Sequence, residues 1–452
     1  MLAKLYVNTG KMFSGQASAA LLGLAAIWFT TASLGLMLFG ILVAIQSFTR
    51  LVGNTLKFST WEAVVKYGAD DLARNDRDAF RRLIVFNTLL DVGTAFVALA
   101  VCLGLAWLVL PLIKVPREYF WFVAFMSLGA FFTVSATPVG VLRLFDRFGL
   151  LAIAEPVGPL LRLGLCALFY YLGWRDIWVF GAAYLASSAV DRAITVWLGW
   201  RELRRRELTP RWQDLRARWT ENHPGLWKFA LANNGRISLG VVTKESDDLI
   251  VAAFVGPVGV ALWKIAKQVS SVLGVPAKLF VFSVFPQLAR MWSARDYRGF
   301  RRLIIRSSAT ASVGAVIVVG LFAVCGPTLL DLFFFKLTQK DFIAAFEPGL
   351  LLIGSRIATM FMSPFLPALT AMGRALRNLK LAFILATITV PVMLLLTWQF
   401  GLIGAGISRI FAEVLTAAVF GWTVIHAVNG RIRKADAAVP PPTPASPTPA
   451  PA

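Results

Sequence analysis

A chain of 452 residues with 58% hydrophobic and 15% charged residues is too apolar for a soluble protein, because soluble chains average about 25% charged residues. Its mean hydropathy of +0.69 indicates that lipid covers most of its surface. The net charge is +21. Nucleic-acid binding would explain such a surplus, but we favour the basic cytoplasmic loops that membrane proteins carry. Cys102, Cys166 and Cys325 lie in apolar runs, which predicts small core residues without disulfides or a metal site.

Twelve apolar segments are long enough to cross a bilayer, whose core needs about 20 residues per helix. They are residues 12–32, 35–57, 83–110, 119–140, 150–172, 177–199, 227–254, 258–286, 303–330, 343–371, 379–399 and 402–427. When the loops are assigned alternately to two sides, 29 basic residues fall on one side and 5 on the other. This asymmetry predicts a multi-pass protein of a bacterial inner (plasma) membrane with both termini in the cytoplasm.

The chain also predicts a duplication. Phe80-Arg81-Arg82-Leu83-Ile84 recurs as Phe300-Arg301-Arg302-Leu303-Ile304, and Asn8-Thr9-Gly10-Lys11 is matched by Asn233-Asn234-Gly235-Arg236. Because six helices return the chain to the same side, the two copies should be related by an axis along the membrane normal. The predicted fold is therefore an all-α polytopic membrane protein with about 12 helices in two six-helix lobes.

The expected division has four parts. An N-terminal lobe spans residues 1–200, a basic cytoplasmic linker 201–226, and a C-terminal lobe 227–428. Residues 429–452 contain repeated prolines without apolar periodicity, which predicts a disordered cytoplasmic tail.

Eleven basic residues are assigned to the spans themselves, where a cation costs about 2.5 to 3.5 kcal/mol at the helix centre. Several form polar stripes at helical spacing on the second, seventh and eighth spans. The candidate substrate-binding residues are Arg50, Arg236, Lys244, Lys264 and Lys267. Candidates for ion coupling or for pairing with these cations are Asp247, Asp248 and Asp91. Two interpretations stay open, namely an anion-binding cleft, for which phosphate is a good match, and ion pairs that hold the bundle together.

Other charges favour structural roles. Arg409 and Glu413 have the spacing of an intrahelical pair, and Glu155 and Arg162 could be linked through a neighbour. Asp191 and Arg356, like Asp91, are lone charges that could relay a coupling ion. His223 and His426 are too isolated at the cytoplasmic edge to bind metal or act as bases. No phosphate-binding loop is present, so we expect no cofactor and no ATP drive.

Short motifs in order along the chain give a family resemblance. They are Asn8-Thr9-Gly10, WEAVVKYGA from Trp61 to Ala69, KESDDLIVAAFVGP from Lys244 to Pro257, KIAKQV from Lys264 to Val269, FPQLA from Phe285 to Ala289 and AMGR from Ala371 to Arg374. With the twelve-span layout, the sequence resembles the polysaccharide transporter family of the multidrug/oligosaccharidyl-lipid/polysaccharide exporter superfamily, which includes Wzx-type O-antigen and exopolysaccharide flippases.

This resemblance implies two lobes that move a polyprenyl-diphosphate-linked oligosaccharide to the outer leaflet by alternating access, with a glycan polymerase as a possible partner. Two relatives in the superfamily remain as alternatives: an ion-coupled multidrug antiporter, whose cleft should be acidic, and a lipid II flippase, which should have two further spans. A non-transporting scaffold would need neither interior charges nor duplicated lobes. An enzyme acting on glycans would need large external loops with acid and base residues, and the predicted loops are short.

Overall fold

The computed structural model describes residues 2–58, 60–133, 135–216, 223–273, 287–288, 290–333, 339–372 and 375–437. Almost all of them are helical. The helices are α1 Leu2–Leu56, α2 Thr60–Ala73, α3 Arg77–Leu112, α4 Phe120–Ser127, α5 Ala136–Leu144, α6 Phe148–Ala154, α7 Val157–Tyr171, α8 Ile177–Arg205, α9 Trp212–Arg216, α10 Leu226–Val255, α11 Pro257–Leu273, α12 Tyr297–Phe333, α13 Gln339–Met362, α14 Phe365–Ala371 and α15 Ala375–Ala437. Two 3-10 helices, Arg117–Tyr119 and Leu128–Thr133, flank α4.

The two longest helices are each broken by one glycine. α1 has 55 residues and α15 has 63, so a straight helix would be about 80 to 95 Å long, far beyond a bilayer core of about 30 Å. Gly35 (φ 73, ψ 171) and Gly401 (φ 58, ψ −133) leave the helical region, at positive φ angles that favour glycine. Both breaks fall where the sequence predicts a turn between consecutive spans.

Seven segments of the described residues are long and apolar enough to cross a membrane. They are Ser18–Ala73, Arg77–Leu112, Arg117–Leu144, Phe148–Tyr171, Tyr297–Gly326, Phe346–Leu369 and Lys380–Arg433. The first and last each contain two predicted spans. α8, α10 and α11 occupy the other three predicted positions, but charged residues interrupt α8 and α10, and α11 has only 17 described residues. The multi-pass, all-helical prediction is confirmed, whereas the number of twelve spans stays a prediction.

The core lies where α1 crosses the start of the second half of the chain. α1 packs against α7, α10 and α11, while α10 packs on α15 and α11 on α13. Fully buried side chains in this region include Phe39, Leu42 and Trp263. The segment that the sequence assigns to the first two spans therefore touches both halves of the chain, and polar residues on α1, α10 and α11 are brought together.

The outer faces of the helices are apolar. Leu108 on α3, Val324 on α12 and Trp422 on α15 are all more than half exposed, which a surface covered by lipid accounts for. Cys102 and Cys166 are buried free thiols, as predicted for small core residues. Cys325 is exposed instead. An apolar run in a membrane helix predicts burial in lipid as readily as burial in protein, so the sequence could not separate the two cases.

The last helix continues beyond the predicted start of the tail. α15 extends to Ala437, through Arg431, Arg433 and Lys434, where basic residues in the final turns of a helix interact favourably with its dipole. Residues 438–452, which contain the proline-rich sequence, lie outside the described residues, as do Gly274 and Lys278 of the predicted eighth span.

Candidate functional site

One buried carboxylate links three helices at the centre of the molecule. Asp248 on α10 is fully buried. Its Oδ1 accepts a hydrogen bond from Lys267 Nζ at 2.7 Å, and its Oδ2 lies 3.5 Å from Lys264 Nζ. Ser47 on α1 donates its hydroxyl to Oδ2 at 2.9 Å. We call Ser47, Asp248, Lys264 and Lys267 the interface cluster, since it ties α1 to α10 and α11.

The neighbouring carboxylate faces a different helix. Asp247 is buried, and its Oδ2 lies 3.4 Å from Arg409 Nη1 on α15. The other terminal nitrogen of Arg409 lies 2.9 Å from Glu413 Oε1. The predicted intrahelical pair of Arg409 and Glu413 is therefore confirmed. Its link to Asp247 adds a contact between α10 and α15.

The second half of the chain thus holds a largely balanced group of charges. Arg356 on α13 donates through Nε to Ser270 Oγ on α11 at 2.8 Å, so it too is held by a neighbour. The described cations of this region are Lys264, Lys267, Arg356 and Arg409, and the carboxylates are Asp247, Asp248 and Glu413. Three of these four cations, Lys264, Lys267 and Arg409, therefore lie within salt-bridge distance of a carboxylate.

A polar cavity of about 80 Å³ lies in the first half of the chain, between α1 and α8. We call it the arginine pocket. It is lined by Gln46, Thr49, Arg50, Gly53, Asn54, Met126, Gly129, Ala130, Phe132, Tyr184, Leu185 and Ser188. Among the described residues, no carboxylate lies within 4.0 Å of the Arg50 guanidinium. Arg50 is therefore a predicted site residue that faces a cavity without an acidic partner.

Arg162 lies beside this pocket, on α7. Its Nε donates to Ser187 Oγ on α8 at 3.1 Å. Its guanidinium carbon sits 4.6 Å from the centre of the Tyr184 ring, which itself lines the pocket. This is the distance of a cation–π contact. The link of Arg162 to Glu155 through a neighbour stays a prediction. The contacts with α8 were not predicted, because a partner on a neighbouring helix has no signature in sequence spacing.

Asp91 lies apart from these groups, in a polar contact among α2, α3 and α5. Thr60 Oγ1 donates to Asp91 Oδ1 at 2.8 Å, and the backbone N–H and hydroxyl of Thr137 donate to Oδ2 at 3.0 and 2.9 Å. Because Thr137 stands in the first turn of α5, Asp91 satisfies a helix N-terminus that would otherwise be unpaired. The geometry gives Asp91 a structural role, and its coupling role stays a prediction.

The predicted set is thus divided. The structure brings four of these residues together, namely Lys264, Lys267, Asp247 and Asp248. Arg50, on α1, is within electrostatic range of Lys264. The side chains of Arg236 and Lys244 lie outside the described residues. The sequence analysis assigned no site role to Ser47, Arg162 or Arg409. The polar stripes on the second and eighth predicted spans, which the repeat makes equivalent, indicated this region. They did not indicate which cation pairs with which carboxylate.

The two halves also meet near the predicted external side. Lys114, just after α3, donates through Nζ to the carbonyl of Phe254 near the end of α10, at 2.7 Å. Gly40 on α1 passes so close to Pro257 that a Cβ there would overlap the Pro257 carbonyl. We call Gly40, Lys114, Phe254 and Pro257 the external seal.

The predicted linker is anchored to the first half. His223, which the sequence analysis treats as isolated, is buried, with Nε2 2.8 Å from Asp71 Oδ2 on α2 and its ring edge against Tyr67. Within the described ranges, no three His, Cys, Asp or Glu side chains are grouped in a way that could hold a metal ion.

Comparisons with known proteins give the fold. No protein-family profile matches the sequence. The chain is 27% identical to the inner membrane protein YghQ of Escherichia coli K12 over 334 residues, which cover 72% of this chain and 91% of YghQ.

The chain also resembles solved structures of multidrug resistance transporters of the MATE family in the MOP superfamily. An inward-facing structure matches with a TM-score of 0.71 at 15% identity, over 93% of this chain and 95% of the other. An outward-facing one matches with a TM-score of 0.65 at 15% identity, over 95% and 96%. A MOP-superfamily transporter from Pyrococcus furiosus, for which reverse polarity of the binding pocket suggests a different function, matches with a TM-score of 0.62 at 15% identity, over 95% and 96%. These neighbours are transporters rather than enzymes, and the chain is a multi-pass membrane protein with their fold.

Proposed function

We propose that this protein moves a polyprenyl-diphosphate-linked oligosaccharide, such as an O-antigen or exopolysaccharide repeat unit, across a bacterial inner membrane by alternating access. The observation that carries the proposal is the sign of the charge around α1. Arg50 faces the arginine pocket, and no carboxylate among the described residues lies within 4.0 Å of it. Two lysines of the interface cluster, Lys264 and Lys267, lie beside the same helix. In a low-dielectric setting this charge favours an anion, and guanidinium and ammonium groups are good donors to phosphate.

The fold supports the transport part of the proposal. Its neighbours are transporters solved in inward-facing and outward-facing conformations, and the twelve predicted spans in two lobes would supply two bodies that rock against each other. The reverse polarity of the Pyrococcus furiosus pocket is a precedent for a MOP-superfamily fold with a changed cavity charge. The relative YghQ is an inner membrane protein, which supports the proposed location.

Each part of the cargo would lie in a different environment of the protein. Arg50 and the lysines of the interface cluster, with Arg236 and Lys244 from the sequence, would hold the diphosphate. The sugars would occupy the aqueous cleft between the lobes, and the prenyl chain would stay in lipid. Since Asp248 already pairs with both Lys264 and Lys267, an anion must compete with Asp248 for the two ammonium groups. That competition would couple cargo binding to the contact between α1 and α10.

An ion-coupled multidrug antiporter is the second candidate. The MATE neighbours are multidrug resistance transporters, and Asp247 and Asp248 are buried at the interface, where a cationic drug or a coupling ion could bind. The two functions require cargo of opposite charge, so one comparison separates them.

The test reconstitutes the full-length protein in liposomes and measures movement of a fluorescent prenyl-diphosphate oligosaccharide and, separately, of a cationic dye. We expect movement of the diphosphate lipid, and at least a tenfold loss with Arg50→Gln, about the effect of one charge-assisted hydrogen bond. Arg205→Gln, which removes an exposed arginine at the end of α8, is the matched control and should keep the activity. Dye movement without lipid movement would reject the flippase and support the antiporter.

A further inference from the structure

We infer that Arg162 and Arg50 form a phosphate-binding pair in the first half of the chain, and that this pair, rather than the lysines of the interface cluster, is the first docking site for the anionic group of the cargo. This inference rests on the proposed function for its cargo. It adds a binding residue, Arg162, and an order in which the charges act.

Arg162 has hydrogen-bond donors that the described residues do not use. Its Nε is taken by Ser187 and one face of its guanidinium by Tyr184. Among the described residues, its two terminal nitrogens have no hydrogen-bond partner, and neither is a buried unsatisfied atom. Within the described part of the chain, no acceptor therefore occupies the N–H groups of these two nitrogens. A guanidinium fixed at Nε and on one face is oriented in advance for a bidentate contact with a phosphate.

Arg50 lines the arginine pocket together with Tyr184, the ring that Arg162 contacts, and it lies within electrostatic range of Arg162. Two like charges held near each other repel, and an anion between them would remove the repulsion and gain two sets of donors. Gln46, Thr49 and Ser188 line the same cavity and add neutral polar groups. Its volume of about 80 Å³ holds several water molecules, which an entering phosphate oxygen can replace.

The arginine pair contrasts with the second half of the chain. Lys267 and Lys264 share Asp248, and Arg409 is held between Asp247 and Glu413. An anion gains less from a cation that already has a carboxylate, because it must first displace that carboxylate. Asp191, an acid within electrostatic range of Arg162, lies 3.4 Å from Arg192 and pairs with it. The cargo anion should therefore bind the arginine pair before it competes with Asp248.

The ligand class is a phosphate or diphosphate anion, which a prenyl diphosphate or a phospholipid head group could supply. The experiment measures binding to the purified full-length protein in nanodiscs, with three probes in separate arms: farnesyl diphosphate, inorganic pyrophosphate and phosphatidylglycerol. Preference for the two diphosphates identifies the cargo group as the ligand. Tighter binding of phosphatidylglycerol would overturn the assignment to cargo.

We expect Arg162→Gln to weaken farnesyl diphosphate binding by about tenfold to 100-fold, the range of one or two charge-assisted hydrogen bonds. Arg162→Lys keeps the charge but loses the planar guanidinium that forms two parallel hydrogen bonds. It should recover part of the affinity. Lys264→Gln should change it less than threefold, and Arg205→Gln is the charge-matched control. Thermal unfolding of each variant in detergent shows whether a loss of binding comes with a loss of folding.

The inference is overturned if Arg162→Gln binds the probe like the parent while Lys264→Gln loses binding. Its failure differs from failure of the proposed function. Diphosphate binding that depends on Arg162, without movement of any oligosaccharide lipid in liposomes, would reject the flippase and keep the pair. Movement of the lipid with unchanged activity in Arg162→Gln would do the reverse.

Discussion

Single buried charges in this protein are held by contacts that differ in kind. Glu202, near the end of α8, is a buried carboxylate with two arginine partners. Its Oε1 accepts hydrogen bonds from Arg206 Nε at 2.8 Å and from Arg147 Nε at 3.2 Å. Burial of Glu202 opposes ionisation, but the two arginines outweigh it, so the pKa of the Glu202 carboxyl lies below its ordinary value of 4.5. Arg206 also stacks on the Phe145 ring at 3.9 Å, so this carboxylate joins α8 to the loop before α6.

We therefore predict that Glu202→Gln lowers the free energy of unfolding at pH 7 by about 2 kcal/mol, the usual effect of removing a hydrogen-bonded charge. A carboxyl whose pKa is lowered by folding stabilises the protein above its unfolded pKa, and this contribution disappears as the pH falls through the folded pKa. Thermal unfolding in detergent from pH 7 to pH 3.5 should show the parent and the variant converging at the acidic end. Exposed Glu118→Gln is the control and should follow the parent throughout. A gap that stayed constant with pH would contradict the role of the charge.

Sequence spacing predicted some of these contacts and could not predict others. The pair of Arg409 and Glu413 lies on one helix, where a separation of four residues places both side chains on the same face. The partner of Arg409 on α10, Asp247, is set by packing between helices, which a single sequence does not encode in its spacing. Arg162 illustrates the same limit, since its partners Ser187 and Tyr184 lie on α8. The polar stripes located the region of the site, while its division into a balanced and an unbalanced part required the fold.

α10 places two consecutive carboxylates against different helices. It carries Asp247 and Asp248 in succession, and because neighbouring residues on a helix point in different directions, the two carboxylates reach different neighbours. Asp248 meets α1 and α11, and Asp247 meets α15. Asp247 and Asp248, two of the charges that lower the hydropathy of α10, thus form contacts within the bundle. The apolar helices α3 and α12, by contrast, are easily recognised and contribute none of the predicted cations.

We predict that Asp248→Asn destabilises the protein and that Lys267→Met in the same chain restores part of the loss. Removing one partner of a buried pair leaves the other charge uncompensated, which is more costly than removing both. The single variant should lose about 2 kcal/mol, measured by thermal unfolding in detergent.

The control for Asp248→Asn is Lys267→Met alone, which leaves Asp248 with Lys264 and Ser47 and should cost less. If the double variant were no more stable than Asp248→Asn, the ammonium of Lys267 would not depend on this carboxylate.

At the scale of the whole molecule, contacts between the halves follow α1 for much of its length. The external seal meets α1 at Gly40, close to the break at Gly35, and the interface cluster meets it at Ser47. Toward the predicted cytoplasmic side, Gln268 on α11 donates to the carbonyl of Ala20 at 2.8 Å. If two lobes rock during transport, these contacts cannot all persist, and those of the external seal must break for the pocket to open outward. They involve main-chain carbonyls and a glycine rather than buried charge pairs, so they can separate without leaving an unpaired carboxylate.

Gly40 allows this rearrangement to be tested. A Cβ at position 40 would overlap the Pro257 carbonyl, and main chain cannot move aside as a flexible side chain can. Gly40→Ala should therefore disfavour the sealed state and increase access to the arginine pocket from the external side. We would measure labelling of Ser188→Cys by a membrane-impermeant maleimide in cells, in a background where Cys102, Cys166 and Cys325 are alanine.

We expect labelling to rise several-fold with Gly40→Ala and to stay at the parent level with Gly93→Ala, because a Cβ at Gly93 meets nothing within 4 Å. Transport should fall as well, since a carrier biased toward one conformation completes fewer cycles. Unchanged labelling together with normal stability would mean that α1 and Pro257 do not form the barrier on the external side. The contact between Lys114 and Phe254, which joins the end of α3 to α10, would then remain as the candidate barrier.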